Sequence, residues 1–160
     1  MEIVAVPLTA SLFAPFGEVL TAPQGVGRTY FDEALSSLRP AARPSISLAS
    51  NTPLAGDRMY VSQLERHRYS SQSFLHLEGG RWSVLVCPDA LNGGPDVARA
   101  KAFVAQAWQG ITYRSGVWHH ALTVLDEPTR HAIIMWRDQT PSDEELRGVA
   151  HFTVLIPPRQ

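Results

Sequence analysis

Two stretches of this chain carry residue types that could do chemistry together. The first runs Leu64-Glu65-Arg66-His67, reaches Gln72 after four further residues, and ends on Gly79. The second, Gln109-Gly110-Ile111-Thr112-Tyr113-Arg114-Ser115-Gly116-Val117-Trp118-His119-His120, is the densest polar and aromatic run in the sequence. Imidazole and carboxylate suit a divalent ion such as Zn, Ni, Mn or Fe, so Glu65, His67, Gln72 and His119 form a candidate ligand set. Gln72 brings a neutral amide where an anionic donor would bind more strongly. The same four groups in a polar pocket could instead bind a small molecule directly. A lone histidine is usually a satisfied core residue; several supplied by two separate segments point to a site. Arg114 and Arg137 can each grip a carboxylate through paired N–H donors, although an arbitrary arginine more often sits in a weak surface ion pair. Tyr113, Trp118 and Trp108 have packing as their commoner use.

Strands must position these groups. Side chains two apart share a strand face, so Met59, Val61, Gln63, Glu65 and His67 are expected together, an apolar beginning running into a polar end. A barrel interior packed at one end and open to ligand at the other has that gradient. The opposite face, with Arg58, Ser62, Arg66 and Arg68, is expected in water. Further strands are predicted at Ser45–Ser50, Phe74–Leu77, Trp82–Cys87, Lys101–Ala105, Ile111–Arg114, Trp118–Leu125, His131–Trp136 and Phe152–Ile156, separated by turn-rich intervals. Short peripheral helices are predicted near Thr9–Phe13 and over Pro141–Arg147, the latter with Ser142 as cap and Glu145 completing a capping box. The segment from Thr21 to Pro44 reads as a long surface excursion.

Composition bounds the class. The 160 residues, 44% of them hydrophobic, suffice for one core, and 12 prolines with 11 glycines punctuate the chain into short segments. One all-β domain spanning residues 1–160 is the expectation. With 14 basic and 15 acidic residues there is no broad positive field for a nucleic-acid backbone. Cys87 is the single cysteine and lies in an apolar run, so a buried structural thiol and a reducing cytoplasm are expected. No apolar run approaches the roughly 18 residues of a membrane span, and no basic segment precedes one near Met1.

The spacing Glu65-x-His67-x4-Gln72-x6-Gly79 resembles the first cupin motif, with Glu65 at its first histidine and Gln72 at its glutamate. Gly116-x2-His119 resembles the second motif, with Arg114 where a proline is usual. Taken with Ser71-Gln72-Ser73-Phe74 and the Trp118-His119-His120 block, the chain resembles the ureidoglycolate lyases from about Ser45 to Arg137. It departs from them at Trp136 and over Ser142-Asp143-Glu144.

That resemblance implies a cupin-type double-stranded β-helix, or jelly-roll barrel, that splits ureidoglycolate into glyoxylate and urea in allantoin and purine degradation. It implies catalytic roles for Glu65, His67, His119 and His120, and substrate contacts from Gln72, Tyr113, Arg114, Trp118 and Arg137. His119 or Glu65 would take the hydroxyl proton, and His67 or His120 would give one to urea. It further implies a homodimer and leaves room for a divalent ion, Ni, Zn or Mn, on Glu65, His67, Gln72 and His119. The competing readings are a metal-dependent cupin isomerase or oxygenase acting on another small hydroxy acid, and a non-catalytic cupin that binds a small molecule.

Overall fold

The strand Trp82–Cys87 shows how the molecule is built. All six of its residues are buried, which requires apolar material on both faces of one strand. Trp82, Val84 and Val86 enter one core, while Leu85 and Cys87 enter another.

The computed structural model describes residues 1–159. Its first half holds β1 (Glu2–Val4), β2 (Val6–Pro7), α1 (Ala10–Phe13), β3 (Gly17–Thr21), β4 (Arg43–Asn51), β5 (Arg58–Arg66) and β6 (Gln72–Glu78). The second half holds β7 (Trp82–Cys87), β8 (Lys101–Ala105), β9 (Gln109–Tyr113), β10 (Trp118–His119), β11 (Thr123–Val124), β12 (Thr129–Arg137) and β13 (Glu145–Leu155).

One sheet runs β1-β13-β5-β10-β7-β8-β2, with β11 also on β7. Its two edges are joined by the chain itself: β1 pairs with β13, β2 pairs with β8, and only the buried Ala5 separates β1 from β2. The sheet therefore curls almost shut, sparing it two exposed edges. Met59, Val61, Leu64, Leu85, Val104, Trp118 and Val154 fill it. The second sheet runs β3-β9-β6-β12-β4. Its inward residues Val19, Phe74, Ile111 and Tyr113 meet Trp82, Val84, Val86 and Phe103 from the first sheet in the other core. Two curled antiparallel sheets facing each other in this way make the cupin-type jelly roll expected above.

Gly79 ends β6 at φ +107°, and a Cβ there would lie 2.5 Å from the Pro128 carbonyl oxygen. Only glycine meets both demands, which accounts for that position of the motif.

Several local expectations are corrected. Alternation in β5 breaks after Val61: Gln63 is exposed and Leu64 joins Met59 and Val61 in the core, so Glu65 lies on the other face from Met59. The break falls where the register with β13 shifts between Gly148 and Phe152, and an irregular register moves every later side chain across the sheet. Arg66, expected in water, is consequently buried. Pro141–Arg147 is not a helix; a 3₁₀ turn over Pro141–Asp143, capped by Thr140, leads into β13 at Glu145. Ladder bonds with β5 outweigh the local capping preference there. Trp118–Leu125 is two short strands, and Phe152–Ile156 is the end of one beginning at Glu145. The helix near Thr9 forms, with the Thr9 hydroxyl accepting from the Leu12 N–H.

Candidate active site

Because β10 lies between β5 and β7, His119 sits directly opposite Glu65. Neighbouring strand residues point to opposite faces. Trp118 therefore fills the curled first sheet, while His119 enters the space between the sheets and stacks on Tyr113 at 4.2 Å between ring centres. His119 Nε2 is 3.3 Å from Glu65 Oε1. His67, just past the end of β5, closes the group with its ring 5.5 Å from that of His119.

Backbone carbonyls set both imidazoles. His119 Nδ1 donates to the Val117 oxygen at 2.9 Å, and His67 Nδ1 donates to the Asp143 oxygen at 2.8 Å. Each ring is thereby held in the tautomer that leaves Nε2 with its lone pair. Both Nε2 atoms are buried without a hydrogen-bond partner, as is Gln72 Oε1. Buried unpaired polar atoms cost free energy unless something fills the space between them. One oxygen of Glu65 and one nitrogen from each histidine lie within 4.8 Å of one another. That is slightly wider than an ion with bonds of about 2.0–2.2 Å spans, so small side-chain shifts would let one ion reach all three. Two imidazoles and a carboxylate fit a divalent transition metal, with Gln72 as an adjacent neutral donor.

The electrostatics follow from burial and crowding. Burial pushes the Glu65 carboxyl upward, but the contact with His119, the charges of His119 and His67, and Glu144 together hold it below the usual carboxylate range. Burial, aided by His119, lowers the proton affinity of His67 against the Asp143 carbonyl, the Glu65 charge and the Gln72 amide. His120 is lowered as well, chiefly by burial. Glu144 is raised by burial and by the neighbouring Glu65 carboxylate, with His119 and Arg137 opposing.

A network behind His67 holds the 138–144 segment over the site. The buried Asp143 carboxylate accepts from Arg39 and from the backbone N–H groups of Asp138 and Gln139. Arg137 Nε lies 3.6 Å from the same carboxylate.

The family model described as ureidoglycolate lyase matches residues 1–154. The chain belongs to the ureidoglycolate lyase family. It is 34% identical over 167 residues to the ureidoglycolate lyase of Chelativorans sp., covering 99% of each chain. It is also 34% identical over 165 residues to that of Mesorhizobium japonicum, covering 98% of this chain and 99% of that one. Among solved structures, a dTDP sugar isomerase from Desulfovibrio desulfuricans superposes with a TM-score of 0.51 at 15% identity, over 81% of this chain and 80% of that one. At that identity the likeness concerns the fold alone.

Of the residues singled out from the sequence, the structure brings Glu65, His67, His119, Gln72 and Tyr113 near one another. Arg137 stands close enough for its charge to act on Glu144. His120 is close enough for the charges of Glu65 and His119 to act on it, while Trp118 and Arg114 lie apart. Trp118 is fully buried in the first core, with the Arg66 guanidinium 4.2 Å over its ring and its Nε1 donating to Asp89. His120 turns its Nδ1 to the Ala121 carbonyl. Arg114 donates to the Glu33 carbonyl and lines a separate cleft. The sequence marks Asp143 and Glu144 only as departures from the family pattern, without a role in the site, and gives no signal for Arg39. The acidic run Asp143-Glu144-Glu145 was the available signal, and assigning it to a helix hid that Glu144 meets Glu65.

Proposed function

We propose that this chain is a ureidoglycolate lyase, releasing glyoxylate and urea in purine degradation. The observation that carries the reading is the convergence of Glu65 with two buried histidines whose free nitrogens face the same space, in a member of this family. The substrate carries a carboxylate, a hydroxyl and a urea nitrogen on one carbon. The hydroxyl proton passes to His119 Nε2, and Glu65 stabilises the imidazolium that forms. The carbon–oxygen double bond forms as the carbon–nitrogen bond breaks. The electron pair leaves with the urea nitrogen, which takes the proton back from the Glu65–His119 pair. His67 and His120, both with depressed proton affinity, are poor proton stores near neutral pH. A proton returned from the substrate's own hydroxyl therefore serves better than one drawn from either. Arg137 pairs with the carboxylate in this reading, supported by its nearness to Glu144. The Glu65 side chain keeps 18% exposure against 1% for His119, so substrate enters along the Glu65 side.

A divalent ion held by Glu65, His67 and His119 would take up the His119 Nε2 lone pair and would then act as a Lewis acid toward the substrate's oxygens in place of His119 as proton acceptor. Nickel, zinc and manganese all accept this donor set.

The reading includes a homodimer in the cytoplasm. Ile46 and Leu48 on β4 and Leu75 and Leu77 on β6 are exposed on the outer face of the second sheet, a surface suited to a second copy. Among the described residues no helix is long and apolar enough to cross a membrane, and the lone cysteine is a buried free thiol.

The deciding assay supplies ureidoglycolate and follows urea and glyoxylate together. Equimolar release supports the lyase, whereas ammonia in place of urea would refute it. Arg137→Ala is expected to raise KM about tenfold or more with a smaller change in kcat, which steady-state kinetics will show.

A further inference from the structure

Outside the candidate active site, a cleft of about 850 Å³ is lined by Arg66, Arg68, Arg99, Lys101 and Arg114. Asp89 is the one carboxylate residue among its lining residues. None of Glu65, His67, Gln72 and His119 borders it; the turn from Arg114 to Val117 forms part of its lining. The volume falls within the usual range for small-molecule sites, about 300–1,000 Å³.

Carboxylates offset only part of the charge in this cleft. Arg66 is paired with Asp89 and Glu145, Arg68 with Glu145, and Arg99 with Asp96. Lys101 and Arg114 have no carboxylate within ion-pair distance among the described residues. The Lys101 ammonium instead lies 5.9 Å from the centre of the Phe16 ring, and Arg114 meets only a backbone carbonyl. Phe16, Pro15, Pro88 and Val117 form apolar walls. Low-polarity walls around unpaired cations concentrate the field and strengthen attraction for an anion. Lys101 and Arg114 thus leave the cleft with an excess of positive charge, and a ligand with two or more negative charges offsets it.

We propose that this cleft is a binding site for a small organic polyanion, a polycarboxylate or a phosphate ester, separate from the lyase site. The proposal does not depend on the lyase reading. Lys101 is the only lysine in the chain, so the site carries its own reporter. An amine-directed acylating reagent labels Lys101 and the terminal amine, and peptide mass spectrometry measures the two rates separately.

The experiment uses the full chain with citrate as polycarboxylate, tripolyphosphate as phosphate source, and sodium chloride matched in ionic strength. Citrate, tripolyphosphate or both should slow Lys101 labelling at least fivefold while leaving the terminal amine unchanged. Whichever protects identifies the ligand chemistry. Arg99→Ala should abolish most of that protection and leave turnover without added anion at the wild-type value. Equal protection by sodium chloride, no protection by either polyanion, or full protection in Arg99→Ala would each overturn the proposal.

Discussion

His119 and Glu65 work as a unit, since each is placed by the other's strand and their contact sets where a proton can rest. His119→Asn and Glu65→Gln are each expected to reduce kcat by about 10²–10⁴, the range for loss of a general base. Glyoxylate release read against the circular dichroism of each variant separates lost chemistry from lost fold. Asp143 acts one step behind. Its carbonyl fixes the His67 tautomer, and its carboxylate, held low by Arg39 and two backbone N–H groups despite burial, anchors the segment. Removing one partner of a buried pair costs about 3–5 kcal/mol. Asp143→Ala should show a loss of that order in urea denaturation, and His67 should become more mobile by NMR.

Another histidine, His131, is fully buried against Trp82 and His76, and neither ring nitrogen has a partner. Burial, with His76 nearby, lowers its pKa from 6.5 to about 4. Between those values the unfolded chain binds a proton that the folded chain refuses. Stability is therefore retained above about pH 6.5 and falls as the pH drops toward 4, by up to about 3 kcal/mol. The prediction is a thermal midpoint that declines across that window in the wild type and declines less in His131→Leu.

Among the elements, β7 packs on both sides, because its two faces serve two cores. Truncating Phe103, which lies against it in the second core, should cost about 3–5 kcal/mol in Phe103→Ala, measured by equilibrium unfolding. β5 shows how an element can place a site by departing from regularity. Had it alternated without a break, Glu65 would share a face with Met59 and Val61 inside the curled sheet and could not meet His119. The break at Gln63 turns Glu65 toward the space between the sheets and sends Arg66 inward under Trp118. The turn after β12 is similarly consequential: reading it as extended chain into β13 puts Glu144 beside Glu65.

At the scale of the whole molecule, closure depends on the first seven residues, since β1 and β2 bridge the edges of the larger sheet. The exposed apolar side chains on the outer face of the other sheet belong to the same scale. Light scattering is expected to report twice the 17.6 kDa chain mass, and Leu48→Glu should shift it toward the monomer. Metal dependence is also a property of the intact molecule. Elemental analysis of purified protein, followed by turnover with a chelator and with nickel, zinc or manganese restored, will show whether the three-donor cluster is loaded.

The amino-acid sequence by itself determined the barrel class, the order of most strands and the two segments that build the site. Those properties rest on local signals: alternation, turn residues, and the spacing of Glu65, His67, Gln72, Gly79, Gly116 and His119. Tertiary structure alone decided which of the named side chains meet. Arg114 and Trp118 share a stretch with His119, yet strand alternation and the turn at Gly116 send them elsewhere. Glu144 and Asp143 lie some eighty positions from Glu65 and join it only through the ladder between β5 and β13. Pairing across such a distance depends on register, and register here depends on an irregularity that no local pattern announces.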